Sequence, residues 1–176
     1  MNRLCKSRAY VHLYTGNGKG KTTAAIGLAV RAVGAKKKVF IAQFVKGMKY
    51  SEIKALKKFS EIKVQQYGLD CFIVNEPSQK DIDAAVKGFQ AAKDIIENNK
   101  ADLVILDEIC IAIYYHLLDI NDIISLIENK PKEMEIVMTG RYAPQELIDA
   151  SDLVTEMTEI KHYFNEGIVG RIGIEY

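Results

Sequence analysis

The chain has 176 residues, 48% of them hydrophobic and 27% charged, with 24 Lys+Arg against 23 Asp+Glu for a formal net charge of +1. Near-average usage of this kind excludes collagen-like, low-complexity and disordered classes. So even a charge balance argues against a general nucleic-acid or membrane-surface binder, and no stretch is long and apolar enough to span a bilayer.

Folding such a chain hides roughly 70% of the surface that its unfolded form exposes, enough for a core without disulfides. One domain over residues 1–176 is expected, with 1–9 as a short N-terminal arm. Cys5, Cys71 and Cys110 form no C-x-x-C pair, which points to a reducing compartment, the cytoplasm, and away from structural zinc.

In chain order, short apolar runs alternate with helical patterns, which predicts an α/β architecture around a largely parallel sheet. Tyr10–Tyr14 reads as a strand ending at a glycine-rich turn. From Lys21, the spacing of Ile26, Val30 and Val33 predicts a helix that Gly34 stops. Val39–Phe44 is the next strand, Ser51–Phe59 a basic amphipathic stretch, and Lys63–Tyr67 a further strand. Pro77 and Ser78 open a helix across Asp81–Asn99. Leu103–Leu106 reads as a strand buried on both faces and ending in Asp107 and Glu108. Asn121 is the expected N-cap of a helix through Ile127, Glu135–Met138 a strand, and Pro144 the start of a short helix. Leu153–Met157 and Ile168–Ile174 are expected as late strands.

The strongest chemical signal is Gly16-Asn17-Gly18-Lys19-Gly20-Lys21-Thr22, set between a predicted strand and a predicted helix. A phosphate-binding loop needs this setting, because the glycines let backbone N–H groups converge on an anion and the helix start adds partial positive charge. Lys21 offers an ammonium to the phosphates and Thr22 a hydroxyl to Mg2+. Thr15 stands where the general pattern has its first glycine, and a ligand-free glycine turn is the structural alternative.

The acidic end of Leu103–Glu108 is the second signal, since P-loop proteins bring a carboxylate to Mg2+ in this way and one of Asp107 and Glu108 suits that role. Arg31 reads either as a surface residue or as a phosphate partner. Lys36–Lys38 reads as a solvated turn, Cys71 and Cys110 as core, and Tyr114-Tyr115-His116 as helix packing.

Taken together, Thr15–Ala25, Arg31-Ala-Val-Gly34, Gln43-Phe-Val-Lys-Gly47, Leu106-Asp-Glu-Ile109, Thr139-Gly-Arg-Tyr-Ala-Pro144, Asp152–Met157, Lys161-His162 and Gly173-Ile-Glu-Tyr176 resemble the ATP-dependent corrinoid adenosyltransferases of corrinoid biosynthesis and salvage. The resemblance implies a doubly wound, P-loop NTPase-like (RecA-like) fold. It also implies a homodimer, a transient reductase partner such as a flavoprotein, and transfer of the 5′-deoxyadenosyl group of ATP to the Co(I) of a corrinoid with release of triphosphate.

By the same resemblance, Gly16, Asn17, Gly18, Lys19, Gly20, Lys21 and Thr22 bind the triphosphate, with Arg31 and Arg141 as further contacts. Lys21 and Glu108 act in catalysis, and Thr22, Glu108 and Asp107 serve Mg2+. Two departures stand out. Only nine residues precede Tyr10, where many relatives carry an extension thought to cover the corrinoid. Gly68-Leu-Asp-Cys-Phe-Ile73 replaces a Gly-Phe-Thr-Trp-type stretch, leaving Phe72, with Tyr67 behind it, as the candidate aromatic on the corrinoid. A P-loop NTPase or small-molecule kinase, and a non-enzymatic carrier, are the competing readings. Released triphosphate separates the transferase from an enzyme that yields ADP.

Overall fold

The computed structural model describes residues 8–48, 50–69 and 76–176. Its strands are β1 (Val11–Thr15), β2 (Val39–Phe44), β3 (Ile62–Tyr67), β4 (Leu103–Asp107), β5 (Glu135–Thr139) and β6 (Leu153–Glu156), arranged as one sheet in the order β3-β2-β4-β5-β1-β6. Every pairing is parallel. The helices are α1 (Lys21–Gly34), α2 (Ser51–Leu56), α3 (Gln79–Glu97), α4 (Ile109–Tyr114), α5 (Ile120–Glu128) and α6 (Gln145–Asp149). The expected doubly wound α/β fold of P-loop NTPase type is what the chain adopts.

Side-chain alternation along the strands divides the core between the two faces of the sheet. Phe40, Ala42, Phe44, Val104, Leu106, Ile136 and Met138 pack beneath α3, α4, α5 and α6. Val39, Ile41, Leu103, Ile105 and Val137 pack against Ala25, Ala29 and Ala32 of α1 and Leu56 of α2. Covered on both sides, β2 and β4 are buried at every position, which explains their unbroken apolar reading. Strand β5 lies between β1 and β4, so groups at the ends of β1 and β4 meet across the end of β5.

Most predicted elements fall within a few residues of the observed ones, and the exceptions have local causes. Ile168–Ile174 is not a strand. Gly167 and Gly173 take positive φ of 81° and 77°, and the amides of Ile174 and Glu175 turn back onto the Arg171 carbonyl. Backbone of that shape cannot join a ladder. Asp119, not Asn121, caps α5, its carboxylate accepting from the Asn121 amide at 2.8 Å. Ser78 and Asp81 form a reciprocal capping box on α3, as the Pro77-Ser78 opening suggested. Tyr67 is a core residue, its ring centroid 6.2 Å from that of Phe44. Tyr115 packs on the core, whereas Tyr114 is exposed and stacks on Tyr142 at 4.5 Å. Phe72, Cys5 and Cys71 lie outside the described residues. Among those described, no helix is long and apolar enough to cross a membrane.

Gly88 lets α3 approach β2 and β3, for a Cβ there would sit 2.7 Å from the Tyr67 ring and 2.9 Å from Phe44. Alanine would gain helix propensity but force two packed rings apart. Gly88→Ala is therefore expected to lower unfolding free energy by about 1–2 kcal/mol in urea titration. A more stable variant would show that the rings yield freely.

Candidate active site

The loop between β1 and α1 turns through Gly16 and Gly20, whose φ of 93° and 118° lie in the left-handed region. It also packs closely on the residue after β6: a Cβ on Gly16 or Gly18 would lie 2.6 Å from the Met157 carbonyl oxygen. That oxygen accepts from the Gly18 amide at 2.6 Å, while the Met157 amide donates to Thr15 at 2.8 Å. Thr15 thus ends β1 inside the sheet ladder, and the turn begins one residue later.

Helix α1 starts at Lys21 with no side-chain cap. Among the described residues no backbone carbonyl accepts from the amides of Lys19, Gly20, Lys21 or Thr22. A helix start left open in this way is an anion cradle. The Lys21 ammonium lies inside the turn, donating to the Gly16 carbonyl at 2.6 Å and that of Gly18 at 2.7 Å. Burial, with the nearby charge of Arg141, lowers its pKa from the usual lysine range.

Beside the cradle, Asp107 ends β4 fully buried and accepts from four donors. Thr22 Oγ1 at 2.9 Å and Thr139 Oγ1 at 2.7 Å donate to Oδ1, and Gln43 Nε2 at 3.1 Å and Lys46 Nζ at 2.7 Å to Oδ2. Burial alone would raise this carboxyl's pKa. Lys46 and the two hydroxyls outweigh it and hold Asp107 below the usual carboxylate range.

Glu108 differs from its neighbour. Its backbone is left-handed at φ 60°, fixed by donation from its amide to Thr139 Oγ1 at 2.9 Å. Its carboxylate has the Lys46 ammonium 3.9 Å away as its only ion-pair partner among the described residues. Burial, assisted by the charge of Asp107, raises its pKa.

Arg141, after β5, reaches the loop and donates to the Asn17 carbonyl at 3.3 Å. Lys19 points the other way, donating to Tyr163 Oη at 3.0 Å, the Ile174 carbonyl at 3.0 Å and Glu175 Oε1 at 2.6 Å. Arg171, Lys19 and Tyr163 together hold Glu175 far below the usual carboxylate range. The C-terminal segment is in this way strapped to the loop.

Arg31 is exposed in the last turn of α1, about 15 Å along the helix from Lys21, and lends its charge to the Tyr14 phenol. His162 Nδ1 accepts from the Phe164 amide and caps a short 3-10 turn over Tyr163–Glu166. Cys110 is buried, its thiol pushed up to about 12 by burial, so it is core and not a nucleophile. Residue-by-residue reading missed Lys46, Gln43, Thr139 and Glu175. The Gln43–Gly47 motif held a signal for the first two, since a polar residue near the end of a buried strand and a lysine two residues past it lie at the same sheet edge as the loop.

The fold and this site define a P-loop nucleotide-binding α/β protein. A family model described as ATP:corrinoid adenosyltransferase BtuR/CobO/CobP matches residues 7–176. The chain is 32% identical over 169 residues to the corrinoid adenosyltransferase of Escherichia coli K12, covering 96% of this chain and 86% of that protein. It is 32% identical over 171 residues to corrinoid adenosyltransferase CobA of Salmonella typhimurium, covering 97% and 87%, and 36% identical over 166 residues to that of a Sinorhizobium species, covering 92% and 78%. The chain belongs to the ATP:corrinoid adenosyltransferase family, transferases whose substrates are ATP and a corrinoid.

The Glu108 environment has a pH signature. Because its folded pKa is raised, the stability linked to protonation is present below the unfolded value and lost as pH rises through the folded one. Glu108→Gln removes that cost and is expected to stabilise the ligand-free protein at pH 7 by about 0.5–1 kcal/mol. Near pH 4 the gain should shrink. Urea titrations showing a less stable variant at pH 7 would contradict the burial argument.

Proposed function

We propose that this chain transfers the 5′-deoxyadenosyl group of ATP to the Co(I) of a reduced corrinoid, with Mg2+ at the nucleotide. The cobalt–C5′ bond forms, the bond from C5′ to the triphosphate oxygen breaks, and triphosphate leaves with its electron pair. The observation that carries this reading is the open amide cradle at Lys19–Thr22, flanked by Lys21, Arg141 and Glu108. A polyphosphate leaving group calls for such a pre-formed set of donors, because charge accumulates on it as the bond breaks.

The amides bind the chain of phosphates, and the Lys21 ammonium exchanges its Gly16 and Gly18 carbonyls for phosphate oxygens. Arg141 adds charge at the loop's outer side. Lys19, its ammonium engaged by Tyr163, Ile174 and Glu175, serves chiefly by tying the C-terminal segment to the loop.

Mg2+ fits the oxygen donors at hand. It takes one or two protein ligands and fills its shell with phosphate and water, and no cluster of three His, Cys, Asp or Glu exists among the described residues to favour another metal. Thr22 Oγ1 and Glu108 would hold it, and the Lys46 ammonium among these oxygens marks a position suited to a cation. Asp107, its oxygens already supplied with donors, orients the Thr22 hydroxyl. When bound, the ion would neutralise charge on the leaving triphosphate. Phe72, following β3 in the sequence, is the proposed aromatic partner of the corrinoid, and a second copy of the chain and an electron-donating flavoprotein are the proposed protein partners.

Incubation with Mg-ATP and chemically reduced corrinoid is expected to yield a light-sensitive Co–C absorption spectrum and one triphosphate per corrinoid. ADP without a spectral change would overturn the reading. Lys21→Ala is expected to weaken ATP binding by about 1.5–3 kcal/mol, the size of a hydrogen bond to a charged group, by calorimetry. Unchanged affinity would remove Lys21 from the site.

A further inference from the structure

We propose that Lys46 is a resident counter-ion that fills the divalent-cation position between Thr22, Asp107 and Glu108 in the nucleotide-free protein and is displaced when the metal enters with ATP. The inference rests on the reading of Thr22 and Glu108 as the Mg2+ ligands.

Three observations meet here. First, the ammonium donates to Asp107 Oδ2 at 2.7 Å and Thr22 Oγ1 at 3.0 Å and lies 3.9 Å from Glu108 Oε1, all oxygens that a metal at this loop would use or adjoin. An ion pair built only to steady Asp107 would have no need of the other two. Second, a costly backbone delivers it. Val45 is β-branched yet has φ 56°, a conformation costing about 1–3 kcal/mol that persists where surrounding structure imposes it. Gly68 makes room for it, since a Cβ there would come within 2.4 Å of the Lys46 amide nitrogen and 2.5 Å of the Val45 carbonyl carbon, and the Val45 amide is held by the Tyr67 carbonyl at 3.0 Å.

Third, Lys46 has somewhere to go. Its four-carbon stem is flexible, and the Tyr50 ring, with its centroid 5.5 Å from Nζ, offers a face against which the ammonium can withdraw. Asp107 keeps Thr22, Thr139 and Gln43 as donors after that movement.

The consequence is an order of binding. A divalent ion alone must expel an ammonium that then has no anion to meet, so it binds poorly. An ion arriving with a triphosphate brings new oxygens for the displaced ammonium. Metal and nucleotide are thereby made to enter together, and the paired carboxylates of Asp107 and Glu108 never lack a cation.

The test uses the full chain and Mn2+ as probe, with free ion read by electron paramagnetic resonance, for the parent, Lys46→Met and Lys46→Gln. The glutamine keeps an N–H donor for Asp107 and guards against a methionine variant that fails to fold. Without nucleotide, the variants are expected to bind Mn2+ at least about tenfold more tightly than the parent, in the range of typical coupling between sites, and Mn2+ alone should raise their melting temperatures but not the parent's. If parent and variants bind Mn2+ with ATP, yet the variants bind it alone no better than the parent, the role of Lys46 is overturned while the metal reading stands. If no chain binds Mn2+ even with ATP, the metal reading falls and this proposal with it.

Discussion

The buried carboxylate of Asp107 is the constraint on which the rest of the site depends. Its two oxygens collect Thr22 from α1, Thr139 from β5, Gln43 from β2 and Lys46 from the turn after β2. A desolvated carboxylate is tolerable only when its lone pairs are occupied and its charge is matched. Meeting that demand pulls the nucleotide loop, three strands and the lysine to one point. The strand order makes this possible, for β5 inserts between β1 and β4 and lets Thr139 bridge from Asp107 to the Glu108 amide.

The neighbouring carboxylates consequently have different work. Asp107 is saturated, charged and structural, its oxygens turned to the protein. Glu108 is set in left-handed backbone by the same Thr139 and accepts no hydrogen bond on its carboxylate among the described residues, at the cost of a carboxyl whose ionised form burial disfavours. One adjacent pair thus supplies an anchor and the carboxylate proposed as metal ligand. On the other side of the loop, Met157 and the Lys19–Glu175 contact tie the chain's last segment to the turn, so the glycines serve contact with their own chain as well as room for a ligand.

What was legible in the sequence follows from how local the signal is. The alternation of apolar runs and helical spacing gave the α/β order, and Gly16–Thr22 and Leu103–Glu108 announced their chemistry because strand, turn and charge are consecutive. The distinction between Asp107 and Glu108 was not legible, since it depends on Thr139 and Gln43, which arrive by sheet register. Lys46 stood within a quoted motif, but its position among three oxygens follows from a backbone reversal that fits only because Gly68, at the end of the neighbouring strand β3, has no side chain. Ile168–Ile174 misled because its alternation is strand-like while its glycines break the extended path. Arg31 shows the limit of proximity in sequence: a helix carries it to the far end from the loop.

The most direct measurement of the central claim is the urea unfolding free energy of Asp107→Asn against the parent at pH 7. Removing the charge leaves the partly buried Lys46 ammonium without its closest anion and sets an NH2 group either against the two hydroxyl donors on one oxygen or against the Gln43 amide and Lys46 ammonium on the other. The predicted loss is about 3–5 kcal/mol, the cost of breaking a buried pair on one side. A loss below about 1 kcal/mol, within the range of an ordinary surface change, would contradict the view that this carboxylate holds the site together.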